Sequence, residues 1–308
     1  MKISSQWLRK WVDPGISNTE LAMQLTMAGL EVDHIEPAAP AFHSVVVGRI
    51  TDLAPHPDAD RLRVATVDIG DVNPLHIVCG APNVTIGMCV PTALIGAELP
   101  GGLIIKKSKL RGIESQGMLC SAKELGLAES SDGLLPLPAN SPPGQSVREL
   151  LALDDAIIEI ELTPNRGDCL SMEGVAREVA VLNRCEFQSL TAEAVEPVLD
   201  ATFPVTLLDP AACPRYVGRV IRNVNPTAET PLWMKERLRR VGIRSLGPLV
   251  DITNYVMLEL GQPMHAFDLN RLTGGIEVRY ARPGDRLELL NGVVIEPDAE
   301  TLLITDHQ

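Results

Sequence analysis

Aromatic side chains are scarce in this chain: three Trp, three Tyr and four Phe among 308 residues. Long apolar runs are absent as well. Stretches such as "HSVVVGRI" fall far short of the roughly 20 residues that a membrane-spanning helix needs, so no membrane segment is expected. The start, "MKISSQWLRKWVDPG", carries charge but lacks the apolar core of a secretory signal. The six cysteines form no CxxC pair and keep no regular spacing. That excludes a disulfide framework or a zinc site by pattern and fits a reducing, cytoplasmic setting. Also missing are the phosphate loop GxxxxGK[ST], a GxGxxG between strand and helix, and HExxH, so neither a nucleotide cradle nor a metal site is expected.

What is present is acid, unevenly spread. The net charge is −13, from 27 Lys/Arg and 40 Asp/Glu, which taken alone argues against a nucleic-acid partner. Residues 39–148, however, hold nine basic and ten acidic side chains, leaving 18 and 30 for the remainder. Within that segment Lys106, Lys107, Lys109 and Arg111 fall in six residues with no acid among them. Such a run is ordinarily a solvated strand face, and its surroundings must raise it above that.

The chain changes texture along its length. Residues 1–38 predict two helices, with Trp7, Leu8, Trp11 and Val12 at helical spacing in the first and Ser17 or Asn18 capping the second. "EPAAPAF" (36–42) reads as a linker. From Ser44, short runs rich in branched aliphatics and punctuated by Gly, Pro or Asn predict strands. About five of them fit a small closed barrel over 39–148, with Val46, Val64, Val67, Ile77 and Leu94 in its core. Residues 149–200 mix a short helix, a strand, a loop and a helix, and are expected to pack with residues 1–38, whose apolar face is too small to form a core alone. Residues 201–308 read as α+β. Thr230 and Asp251 are the expected N-caps of two helices there, Pro231 takes the first helical position of the earlier one, and Gly261 ends the second.

"KLRGIESQGMLCSAKELGL" (109–127) poses the sharpest question of chemistry. Cys120 would need a base to become a nucleophile, and no His lies within forty residues of it on the chain; a buried small hydrophobe explains it better. Ser121 stands three residues before Glu124, the spacing of a capping box, which predicts a helix from "SAKEL". Gly112 and Gly117 fit bends between strands. The basic strand then remains as surface, beside a Gly-rich turn, an arrangement by which OB barrels hold single-stranded or looped nucleic acid. Phe42 is the only aromatic residue between 39 and 148, so recognition there would rest on backbone charge and shape. His56, in the loop "APHPDADRL", is either a satisfied loop histidine or an RNA contact.

These residues resemble a known family. "VGRITDLAPHPDADRLRVATVDIG", "IVCGAPNV" and "GAELPGGLIIKKSKLRGIESQGMLCSAKELGL" look like the tRNA-binding OB domain of bacterial phenylalanine–tRNA ligase β chains. "MKISSQWLRKWV", "ELTPNRGDCLSMEGVAREVAVL" and "VDITNYVMLELGQPMHAFD" resemble the same β chains, in order. The resemblance implies a multidomain α+β chain: an N-terminal helical segment (1–38), an OB-fold barrel inserted at 39–148, an α/β segment (149–200) and a hydrolytic editing domain (201–308) that is incomplete. It implies tRNA binding and removal of tyrosine from mischarged tRNA(Phe), with the aminoacylation chemistry on a separate α chain. The full assembly would hold two α and two β chains and use ATP and Mg2+, with no cofactor bound by the present residues. Arg244, Thr253, Asn254 and His265 would belong to the editing pocket. The tRNA-binding candidates are His56, Lys106, Lys107, Lys109 and Arg111. The segments that close the pocket would follow residue 308, so this chain alone is expected neither to charge nor to edit tRNA and to leave "TLLIT" as an open sheet edge. Two rivals remain: a stand-alone tRNA-binding or chaperone-like module, and a Cys/His hydrolase built on Cys120.

Overall fold

The structure is a computed structural model that describes residues 1–307. It divides into two compact units, Met1–Leu190 with Glu229–Pro263, and Thr191–Ala228 with Met264–Gln308.

In the first unit, strand β1 (Lys2–Ser4) runs into the short helix α1 (Ser5–Leu8), whose Trp7 N–H donates to the Ser4 hydroxyl. Ser17 caps α2 (Asn18–Met27) reciprocally with Glu20, satisfying two N-terminal donors at once. β2 (Glu31–Pro37) follows, so the expected linker begins inside a strand. A three-residue strand and a mostly polar one have no stability of their own. Both pair antiparallel with β11 (Ala156–Glu161), in the order β1–β11–β2. Ile3, Trp7, Leu8, Trp11 and Leu21 share one core with Ile158 and Ile160 of β11 and with Met172, Val175 and Val179 of α4 (Met172–Asn183).

Between these pieces lies a six-stranded antiparallel sheet. It comprises β3 (His43–His56), β4 (Ala59–Asp68), β5 (Leu75–Cys79), β6 (Cys89–Leu99), β7 (Leu103–Ile104) and β10 (Gly117–Leu119). Its order is β10–β6–β3–β4–β5, with β7 also beside β6. The expected closed barrel is met only as an open ladder: among the described residues no ladder joins β5 to β10. The two ends meet instead through Gln116, whose N–H donates to His76 O and whose side-chain oxygen accepts from His76 N, both at 2.9 Å. A second hairpin, β8 (Ser108–Leu110) and β9 (Ile113–Ser115), stands apart from the main ladder.

Of the expected core residues, Val67 and Ile77 are buried, whereas Val46, Val64 and Leu94 are only half-buried. Their neighbours Val45, Val47, Ala65 and Ala93 take the inward positions. Side chains alternate across a strand, so Val64 and Val67 cannot share a face of an unbroken strand, and three successive valines do not reveal their own phase.

The cap bonds at Ser121 form as expected: Ser121 N donates to Glu124 at 2.6 Å and Glu124 N to the Ser121 hydroxyl at 3.3 Å. No helix follows, because the chain turns through Gly126 at φ +68. The short helix α3 (Val147–Leu150) leads back toward β11. Further on, α5 (Leu232–Arg240) is capped by Pro231 rather than Thr230, and α6 (Pro248–Leu260) by Gly247 rather than Asp251. Thr230 and Asp251 bond to each other instead, at 2.5 Å. Both helices lie in the first unit.

In the second unit β12 (Val205–Leu207) runs parallel to β13 (Ile276–Tyr280), which pairs antiparallel with β16 (Leu302–Thr305). β14 (Leu287–Glu288) and β15 (Val294–Ile295) form a small hairpin, and β16 is an end strand of its sheet. No helix among the described residues is long and apolar enough to cross a membrane.

Candidate nucleic-acid interface and editing residues

The basic run leads into the β8–β9 hairpin: Lys106 and Lys107 precede β8, Lys109 lies on it and Arg111 is in the turn. Leu110 pairs with Ile113, which leaves Arg111 and Gly112 as a two-residue turn. Both are left-handed, at φ +46 and +86, the combination whose twist matches that of the flanking strands. Gly adopts this at no steric cost. Arg111 pays about 1–2 kcal/mol, offset in part by the bond from its Nη1 to Asp58 O at 2.9 Å. Lys106, Lys107 and Lys109 are exposed. Lys107 pairs with Glu114 at 2.8 Å, and Lys109 lies opposite Glu114 in the register. The hydrogen bond from Lys107, then the charges of Lys107 and Lys109, hold the Glu114 carboxyl below the usual range. Lys106 and Lys109 have no ion-pair partner among the described residues.

His56 belongs to this region but not to its surface. It is 5% exposed; its Nδ1 accepts from Asp58 N at 3.1 Å, and its Nε2 lies 3.0 Å from Leu110 O. An N–H donor at Nδ1 makes that nitrogen the acceptor, so Nε2 carries the proton and donates to Leu110. Both ring nitrogens are thereby engaged, which leaves none for an RNA atom.

The remainder of "GIESQGMLC" is a seam. The Ser115 hydroxyl accepts from Val78 N at 3.1 Å and donates to Gly117 O at 3.0 Å. A Cβ on Gly117 would stand 2.7 Å from Ala93 O, so the sheet closes there only with glycine. Sequence reasoning missed Asn83, whose amide donates to Leu134 O at 3.0 Å and accepts from Leu134 N at 2.9 Å, mimicking a strand partner. The turn composition of "GAPN" was its only signal.

Cys120 is fully buried, and burial, reinforced by the charge of Glu124, pushes its thiol up to about 12. Its Sγ lies 3.6 Å from Met118 O, with no histidine in its bonding shell. The thiolate population at neutral pH is therefore negligible, which removes the hydrolase reading. Iodoacetamide at pH 8 is expected to leave Cys120 unmodified in the native protein and to reach the half-buried Cys185 and Cys213 first. Peptide mass mapping reads this out, and modification of Cys120 below pH 8 would restore the nucleophile.

Arg244 sits exposed between α5 and α6, and its guanidinium makes no hydrogen bond or ion pair among the described residues. The loop carrying it is fixed by Asp251, which accepts from the Ser245 hydroxyl at 2.6 Å, Leu246 N at 2.9 Å and the Thr230 hydroxyl at 2.5 Å. Burial opposes ionisation of Asp251, but these donors and Gly247 N–H outweigh it and hold the carboxyl below its usual range. Thr253 and Asn254 are half-buried on α6, and the Thr253 hydroxyl donates to Val250 O at 2.9 Å. α6 is anchored by Tyr255, stacked on Trp7 at 5.1 Å and 10°. Glu259 accepts from Trp7 Nε1 at 3.1 Å and from the Tyr255 hydroxyl at 2.9 Å. Arg244, Thr253 and Asn254 thus lie in the first unit. His265 lies in the second, exposed and stacked on Phe267 at 5.9 Å.

Among the described residues, two clusters bring metal-ligand atoms within 4.8 Å of one another: Asp33, His34 and Glu159, and Asp168, Cys169 and Glu178. Each already holds a cation of the chain. Lys2 Nζ lies 2.7 Å from Glu36 and 3.4 Å from Glu159, and Arg166 lies 3.2 Å from Asp168 and 3.1 Å from Glu178. A metal ion would have to displace these amino and guanidinium groups.

Two family models match the chain: the "Putative tRNA binding domain" over residues 45–146 and the B3/4 domain over residues 212–308. The phenylalanine–tRNA ligase β subunit of Methylococcus capsulatus is 57% identical over 308 residues, covering 100% of this chain and 39% of that protein. The β subunit of Nitrosococcus oceani is likewise 57% identical over 311 aligned residues, with the same 39% coverage of its length. The chain thus spans about two fifths of the length of these relatives. Among solved structures, a MetRS related protein from Pyrococcus horikoshii is 28% identical, with a TM-score of 0.26 over 33% of this chain and 87% of that one. Along its whole length, this chain is similar to part of the phenylalanine–tRNA ligase β subunits.

Proposed function

We propose that this chain supplies tRNA binding and editing to a phenylalanine–tRNA ligase. The partner α chain, two copies with two β chains, would carry the ATP- and Mg2+-dependent attachment of phenylalanine to tRNA(Phe), in the cytoplasm. The observation that carries the reading is the hairpin at 108–115 with the segment leading into it, which present Lys109 and Lys106 without ion-pair partners among the described residues on an otherwise charge-balanced sheet domain. The near-meeting of β5 and β10 through Gln116 supports an OB-type barrel for that domain. With no aromatic platform on the sheet, binding would use phosphate charge and RNA shape.

Editing has a physical motive. Tyrosine is phenylalanine plus one hydroxyl, and an apolar pocket rejects an added hydroxyl only by about a hundredfold. A second site that hydrolyses the tyrosyl ester returns free tyrosine and the tRNA 3′ hydroxyl. In this reading Arg244, exposed and unpaired on a loop held by Asp251, binds the phosphate or ribose of the tRNA 3′ end. Thr253 and Asn254 line the pocket beside it, and His265 of the second unit is tested separately for a part in hydrolysis.

The test is release of tyrosine from tyrosylated tRNA(Phe) by the natural gene product assembled with its α partner. Arg244→Ala is expected to slow release by about a hundredfold and His265→Ala by about tenfold, with phenylalanylation intact. Full release activity in Arg244→Ala would remove that residue from the site. Salt-dependent tRNA binding without any release would leave a binding module alone.

A further inference from the structure

His56 and Arg111 have the residue types of RNA contacts, yet His56 directs both ring nitrogens inward and Arg111, though exposed, commits Nη1 to the chain itself. His56, buried, joins the turn after β3 to the hairpin: Nδ1 accepts from Asp58 N at 3.1 Å, and Nε2 donates to Leu110 O at 3.0 Å. Arg111 closes the same junction from the other side, Nη1 donating to Asp58 O at 2.9 Å from a left-handed backbone. Two of these bonds, His56 to Leu110 and Arg111 to Asp58, hold the short segment 56–58 against the tip of the hairpin, and the third, Asp58 N to His56 Nδ1, orients the imidazole within that segment. That hairpin lies outside the main ladder, and the space around the Gly112 Cα is open. Its base is held to β5 by Val78 N donating to the Ser115 hydroxyl at 3.1 Å, so it is the tip, and Lys109 near it, that these bonds fix.

The geometry points to His56 and Arg111 as positioning residues for RNA binding: they fix the hairpin so that Lys109 meets a backbone phosphate next to the one met by Lys106, whose neighbour Ile105 is bonded to β6, and they do not touch the RNA themselves. This rests on the tRNA-binding reading of the same surface. A positioning residue raises the fraction of protein in the binding-competent form without adding a contact to the complex. Its loss lowers affinity by that fraction. The number of phosphates neutralised, and so the dependence of affinity on salt, stays as it was. A phosphate-binding cation behaves otherwise, because its loss flattens the salt dependence.

The experiment measures binding of unfractionated bacterial tRNA to the full chain by fluorescence anisotropy over about 50–200 mM salt. Lys106→Gln with Lys109→Gln should weaken binding and lower the slope of log affinity against log salt by about 0.7–0.9 per lost contact. His56→Phe keeps the ring and removes both bonds; it should weaken binding by about tenfold at unchanged slope, and His56→Gln, which can still donate to Leu110 O, should recover part of that loss. Arg111→Asn creates the Asn-Gly pair favoured in such turns, so the hairpin forms without the guanidinium, again at unchanged slope. Faster amide exchange at 108–115 in His56→Phe, with the rest of the chain protected, would show that the hairpin is released in a folded protein. A slope lowered by about one in Arg111→Asn would make Arg111 a phosphate contact and overturn the inference. Parental affinity in a His56→Phe chain whose hairpin exchanges faster would overturn it too. If the parent chain binds no tRNA, the RNA reading fails first, and the inference with it.

Discussion

Asp155→Ala is expected to destabilise the first unit by about 3–5 kcal/mol in urea unfolding, the cost of leaving one member of a buried ion pair alone. The Asp155 side chain is fully buried and that of Arg240 nearly so, and the two meet at 3.0 Å. Asp155 also accepts from the Ser4 hydroxyl at 2.5 Å, Gln6 N at 2.9 Å and Ala156 N at 2.8 Å. Arg240 adds a bond to Leu151 O at 2.6 Å. One carboxylate therefore ties the start of the chain, the entry to β11 and the end of α5. Removing it leaves the buried guanidinium with only the more distant carboxylate of Glu236, at 3.7 Å, and orphans two backbone donors. An apolar pair, Asp155→Leu with Arg240→Met, should recover the ionic part of the loss but not the part owed to Gln6 N and Ala156 N. Full recovery in the double variant would show that those backbone bonds contribute nothing.

Gly174→Ala is expected to cost at least about 3 kcal/mol, the upper end for overpacking. Gly174 is in the first turn of α4, and its N–H donates to the Ser171 hydroxyl at 3.0 Å. A Cβ there would lie 1.8 Å from Asp168 O and 2.9 Å from Asp168 C. Both are backbone atoms, in a turn whose Asp168 side chain is held by Arg166 at 3.2 Å, so they cannot yield as the end of a flexible side chain would. Gly167→Ala is the control: nothing lies within 4 Å of its Cβ position, and the change should stay within about 0.5 kcal/mol. Thermal unfolding of the two variants beside the parent decides this, and a Gly174→Ala chain as stable as the Gly167→Ala chain would contradict it.

Local chemistry was legible in the sequence where it is decided within a few residues. The Ser17–Glu20 capping box starts a helix, and the same signature at Ser121–Glu124 makes the same two bonds. What the second could not reveal is that the chain turns away at Gly126 within one turn. β1 and β2 were invisible because neither alternates clearly; each exists by pairing with β11, more than a hundred residues away. The phase of "SVVVGRI" is set by which face of the sheet meets the core, and three valines carry no phase. In the candidate interface the lysines could be read from charge alone. The roles of His56 and Arg111 could not, since the partners of both lie on segments about fifty residues distant. Asp251 was recognised as a capping residue, and it does accept from the loop before α6, but from inside the helix rather than at its start.

The most direct measurement of the central claim is the salt dependence of tRNA binding by this chain. If the hairpin lysines bind backbone phosphates, affinity falls steadily as salt rises, with a slope of at least about 1.4 for two contacts, and duplex DNA of equal charge competes less well than tRNA because its groove shape differs. Binding that ignores salt, or that survives Lys106→Gln with Lys109→Gln at full strength and unchanged slope, would contradict the account and move the tRNA site elsewhere in the chain.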